Sequence, residues 1–244
     1  MKPNSVKLEI CAVSPLSARA AFEGGANRIE LCTALETGGL TPSHAAIEMC
    51  TQELDIPVFV LIRPRPGDFC YNETEMQLMI RDISICRELG VRGIVSGSLH
   101  PDGGIHLSQL QALLKASEGM EFTFHRAFDR CSNPFLAADQ LADHGVQRIL
   151  SSGQQPSALN GAPLLAELIE KMQGQITIMP GGGVTPDNVA EIHRICGATE
   201  YHFSAKKVQK SSFSFRNDMS GGDDYSESDT DLIREMVSVL QSLH

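Results

Sequence analysis

The chain has no apolar stretch near the roughly 18 residues of a membrane-spanning helix. It also has no run of basic residues and no Cys-x-x-Cys pair. Each absence removes a class of function. Met1-Lys2-Pro3-Asn4-Ser5 runs into a strand rather than into a signal-type apolar segment, so a cytoplasmic protein that stays off the membrane is expected. Nucleic acid is not an expected partner, because a formal charge of -10 without clustered Lys and Arg cannot displace counterions from a phosphate backbone. Seven cysteines, an odd number scattered along the chain, argue against a disulfide framework; free cysteines mostly serve as small buried hydrophobes.

What is present suits a large core. Hydrophobic residues make up 42% of the chain and charged residues 20%. Short apolar runs alternate with helical patterns from end to end, as in strands joined by helical crossovers. Eight strands are expected: 6–11, 28–32, 58–63, 93–96, 121–125, 148–151, 176–179 and 200–203. Ser14-Pro15, Thr41-Pro42, Asn133-Pro134 and Thr185-Pro186 place a capping side chain before a proline and read as helix starts. Gly24-Gly25, Gly90, Gly145 and Gly197 read as helix ends.

An open doubly wound sheet usually carries Gly-x-Gly-x-x-Gly after its first strand, where this chain has Cys11-Ala12-Val13-Ser14. The expectation is therefore a single (β/α)8 TIM barrel over residues 1–244, with its working site at the C-terminal mouth. Leu8-Glu9-Ile10-Cys11 is echoed by Ile29-Glu30-Leu31-Cys32, too short a match to establish a repeat. A long serine-rich acidic stretch at about 207–228 is expected as a lid, an interface arm or a mobile loop, and a final helix at about 229–243.

Strand side chains alternate between the barrel interior and the helices. That turns Glu9, Cys11, Glu30 and Cys32 inward, with the two Glu-x-Cys pairs side by side. Arg63 ends the third strand, His125 the fifth, and Glu200 with His202 line the eighth. Barrel interiors are normally apolar, so these groups form either an ion-pair network or a site. As a network, Glu30 would neutralise Arg63, Glu9 would pair with Arg148 or Lys7, and His125 would donate to a carbonyl. As a site, Glu9 or Glu30 would be a general base and His125 an acid, with Arg63 and Arg65 holding an anion. Gly181, Gly182 and Gly183 after the seventh strand, with Ser204 and Lys206 after the eighth, offer a possible anion cradle. Cys11 and Cys32, thiolates on adjacent strands, suit a soft ion such as Cu(I); zinc would want further ligands from His125 or His202.

Read together, several motifs resemble the CutC copper homeostasis family. They are Leu8-Glu9-Ile10-Cys11, residues 24–32, residues 38–43, residues 62–69, Thr123-Phe124-His125-Arg126-Ala127-Phe128-Asp129, residues 148–153, residues 179–184 and Phe215-Arg216-Asn217. The resemblance covers nearly the whole chain. It implies a barrel, a cytosolic homo-oligomer (dimer or tetramer), and Cu(I) as a bound cofactor with Cys11 and Cys32 as ligands. Arg65-Pro66-Gly67 departs from the two glycines the family commonly has after the arginine. Two further functions remain open: an enzyme acting on a small anionic metabolite, phosphorylated or not, and an interaction module built on the long loop.

Overall fold

A computed structural model describes residues 6–215 and 222–243. Its eight parallel strands are β1 (Lys7–Ala12), β2 (Arg28–Leu31), β3 (Val58–Leu61), β4 (Gly93–Ser96), β5 (Glu121–Phe124), β6 (Arg148–Ser151), β7 (Thr177–Pro180) and β8 (Glu200–Phe203). Hydrogen bonding runs in the order β7-β6-β5-β4-β3-β2-β1-β8, which makes a nearly closed barrel. The helices are α1 (Pro15–Gly24), α2 (His44–Glu53), α3 (Glu73–Glu88), α4 (Leu107–Ala116), α5 (Pro134–Asp143), α6 (Ala162–Lys171), α7 (Pro186–Cys196) and α8 (Thr230–Gln241).

Local chemistry sets most of these boundaries. Ser14 and Asn133 cap α1 and α5 ahead of their prolines, and Gly25 and Gly197 close α1 and α7 in the left-handed region. Thr41-Pro42 is an exception. Ser43 caps α2, while Thr41 takes the Arg63 N–H on its hydroxyl at 2.9 Å and gives its own N–H to the Arg63 carbonyl at 3.1 Å. Thr41 therefore anchors the chain after β3, because a hydroxyl serves a neighbouring backbone as readily as a helix end. The expected long loop begins and ends in an antiparallel hairpin of β9 (Lys206–Gln209) and β10 (Tyr225–Ser228). Arg216 and Asn217 of the last motif lie outside the described residues.

Two cores result from the alternation. Leu8, Ile10, Ile29, Leu31, Phe122, Phe124 and Tyr201 pack between sheet and helices. Cys11, Cys32, Phe59, Leu61 and Val95 form a smaller cluster inside the barrel. Parallel register pairs Glu9 with Arg28 and Cys11 with Glu30, so the two Glu-x-Cys pairs are staggered by two residues rather than level. Stagger of this kind is what a closed barrel requires.

The barrel floor is charged. Arg28 donates to Glu9, and to Glu200 at 2.7 Å; Arg148 donates to Glu200 at 2.6 Å, and to Glu121 at 3.3 Å. Both guanidiniums lie over the Phe59 ring, at 4.9 and 5.6 Å from its centroid. Gly93 leaves room for that ring, since a Cβ there would sit 2.6 Å from its carbons. The pairing differs from the sequence expectation: Glu9 is joined to neither Arg148 nor Lys7, because the stagger sets Arg28 beside it and brings Glu200 within reach of both arginines.

Arg28→Met would leave Glu9 and Glu200 buried without one of their partners. It is expected to lower unfolding free energy by about 3–5 kcal/mol in urea titrations. A loss below about 1 kcal/mol would mean that the floor does not depend on the arginine.

Candidate functional site at the barrel mouth

Above the floor, the strand ends surround a cavity of about 890 Å³, within the range of small-molecule sites. Cys11 and Glu30 form part of its wall with Arg63, His125 and His202. The last polar residues of three strands lie just past their ladders: Cys32 follows β2, His125 follows β5, and Arg63 is two residues beyond β3. Ends freed from the ladder turn into loops, which lets these side chains face the mouth.

One wall carries sulfur, carboxylate and imidazole. The sulfurs of Cys11 and Cys32 are 3.6 Å apart, and Cys11 Sγ is 3.9 Å from Glu30 Oε1. His202 Nδ1 lies 2.7 Å from Glu9 Oε1 and 3.9 Å from Glu30 Oε2. Ligand atoms of Cys11, Glu30 and His202 all fall within 4.8 Å of one another, the spacing of a metal-binding group.

Burial and charge set the protonation of this wall. Burial opposes the charged form of Glu9, but Arg28 and His202 outweigh it and hold the carboxyl well below the usual range. For Glu30 burial wins: with the charge of Glu9 it overcomes His202 and Arg28, and the carboxyl rises to about 7. Cys32 beside it, then burial and the two glutamates, push the Cys11 thiol far up. Burial disfavours charge on His202 too, yet Glu30 and Glu9 raise it above an ordinary imidazole.

The groups that follow β3 and β5 are different. Arg63 is 4% exposed and donates to the carbonyls of Thr37, Gly39 and Gly67, each at 3.0 Å. No carboxylate among the described residues reaches it, so Glu30 does not neutralise it. His125 accepts the Ala127 N–H on Nδ1 at 3.3 Å rather than donating to a carbonyl, because its side chain caps the turn at Arg126–Arg130.

The expected anion set is divided. Arg65 is taken up by Asp68, Glu75 and the Cys70 carbonyl, and stacks on Tyr71 outside the cavity wall. Gly182, Gly183 and Ser204 do line the cavity, with both glycines at positive φ. Gly181 packs tightly, since a Cβ there would lie 2.4 Å from Leu150. Arg28 was absent from the candidate set although the alternation that turns Glu30 and Cys32 inward turns it inward as well. Asp129, which accepts from Ser151, Ser152 and Gln154 and braces the loop after β6, had no comparable signal.

Comparison with known proteins agrees with this architecture. The CutC family model matches residues 6–207. A CutC family protein of Parabacteroides distasonis is 45% identical over 214 residues, covering 86% of this chain and 87% of the relative. The human copper homeostasis protein cutC homolog is 44% identical over 214 residues, covering 88% and 78%. The solved CutC structure from Streptococcus agalactiae superposes with a TM-score of 0.78 at 33% identity, covering 82% of this chain and 98% of that one. Thiamine phosphate pyrophosphorylase from Pyrococcus furiosus, at 16% identity and a TM-score of 0.61, shares the fold.

The Glu30 carboxyl gives a signed pH prediction. Raised in the fold from 4.5 to about 7, it is fully compatible with folding below 4.5 and costs stability as pH rises through 7, because the unfolded chain ionises first. Glu30→Gln is expected to be more stable than wild type by on the order of 3 kcal/mol near pH 8, the gap closing toward about pH 4. A gap that does not change across urea titrations at these pH values would contradict the assignment.

Proposed function

The chain belongs to the CutC family of copper homeostasis, and from that premise we propose that it binds Cu(I) at the barrel mouth through Cys11 and Cys32. The observation that carries this reading is the buried pair of sulfurs 3.6 Å apart, flanked by Glu30 and His202. Thiolate is the soft donor that favours Cu(I), and imidazole is a ready additional ligand.

The residues fit the ion chemically. Glu30 Oε2 is buried without a hydrogen-bond partner, and a cation between it and the sulfurs would coordinate it instead. Glu9, accepting from His202 Nδ1, would fix the tautomer and orientation of that imidazole, the usual outer support of a histidine ligand. The carboxylate and thiolate groups would offset the ion's positive charge; the protein's remaining task is to keep the sulfurs reduced and out of bulk water. Two parts of the reading concern context. No helix among the described residues is long and apolar enough to cross a membrane, which accords with a reducing cytoplasmic setting. Assembly as a dimer or tetramer is proposed from family membership, and light scattering would test it.

Metal uptake must displace protons, because the Cys11 thiol stays protonated at neutral pH. Cu(I) affinity of the reduced protein, measured against a competing chelator, is therefore expected to rise with pH. In Cys11→Ala, Cys32→Ala it should fall at least about a hundredfold. Affinity unchanged in that double variant would remove the cysteines from the account.

A further inference from the structure

Six buried side-chain polar atoms among the described residues have no hydrogen-bond partner, and three of them belong to residues of the mouth cavity: Glu30 Oε2, Arg63 Nε and His125 Nε2. The last two follow β3 and β5. Buried donors are almost always satisfied, and each one left alone costs about 1–3 kcal/mol. Both residues line the same cavity, and the pair needs a common explanation.

Their chemistry is specific. Arg63 holds three loop carbonyls with its terminal nitrogens, but carbonyls are dipoles and do not cancel its charge. The Arg28 and Arg148 guanidiniums of the floor, by contrast, each have carboxylates. His125 is 5% exposed and accepts on Nδ1, so its proton lies on Nε2. Burial and the nearby Arg63 charge push the ring down to about 3, which keeps it a neutral donor. Phe69 supports both groups, with its ring centroid 4.8 Å from that of His125 and 5.0 Å from the Arg63 guanidinium carbon. A uncompensated cation and a neutral N–H donor are thus fixed on one aromatic ring beside an open space.

We propose that Arg63 and His125 form a binding site for the oxyanion group, carboxylate or phosphate monoester, of a small organic molecule held in the barrel mouth. Arg63 supplies the charge, and His125 supplies the Nε2–H. A metal cation is disfavoured at this end by the guanidinium, just as an anion is disfavoured beside Glu9, Glu30 and the two sulfurs. The strand ends therefore carry two groups of opposite preference, and the organic anion takes the cationic one. Its volume leaves room for the carbon skeleton of a metabolite beyond the oxyanion.

The test uses reduced, copper-free protein with 15N-labelled histidine, titrated separately with glycolate and with glycerol phosphate, and with ethylene glycol and glycerol as uncharged counterparts. One of the oxyanions is expected to bind and to move the His125 Nε2 resonance, while the uncharged molecules do neither; which one binds decides between carboxylate and phosphate. His125→Phe and Arg63→Met should each weaken that binding by about tenfold to a hundredfold. Because Arg63 also braces three loop carbonyls, its variant can fail to fold; the wild-type resonance and His125→Phe then decide. Absence of binding by either anion, binding that leaves His125 unmoved, or equal affinity in His125→Phe would overturn the site.

Discussion

Everything at the mouth depends on the ion network buried beneath it. Four charged side chains, Arg28, Glu9, Glu200 and Arg148, close the barrel floor around Phe59. Buried charges are tolerated only when paired, so the floor fixes which groups remain available above it. Glu9 is consumed twice, by Arg28 on one side and His202 on the other. Glu30, one layer higher and opposite Cys11, gets no comparable counter-ion. Two carboxylates of nearly identical sequence context thereby reach opposite states: one permanently charged and structural, the other titrating near neutrality beside two sulfurs.

The same stagger separates the mouth into chemically distinct walls. Sulfur, carboxylate and imidazole collect where β1, β2 and β8 end. Guanidinium and neutral imidazole collect past β3 and β5, on Phe69. Copper handling, as proposed, uses the first wall. An oxyanion on the second would share the cavity without competing for ligands, and the protein would then be more than a passive metal carrier. Fold alone does not choose between such roles, since barrels of this kind host unrelated chemistries; the residues at the strand ends do.

Much of this was legible in the sequence. The strand count, the capping at Ser14 and Asn133, and the inward orientation of Glu9, Cys11, Glu30 and Cys32 follow from period and turn chemistry, which are local properties. Pairing was not legible, because interstrand register is a property of the closed barrel: a shift of two residues moved Glu30 beside Cys11 and Arg28 beside Glu9. Arg63 shows the other limit. Its inward position was readable, but its partners are carbonyls of two loops, and carbonyls leave no mark in a sequence. Thr41 reads as a helix cap and instead ties the Arg63 backbone, for the same reason.

The central claim is that the buried sulfur pair is a Cu(I) site. X-ray absorption at the copper edge, on reduced protein loaded with one equivalent of Cu(I), tests it most directly. The account predicts a first coordination shell dominated by two sulfurs, with lighter neighbours limited to a Glu30 oxygen and a His202 nitrogen. A shell of nitrogen and oxygen alone would contradict it, and would leave the dithiol of Cys11 and Cys32 as part of the packed interior.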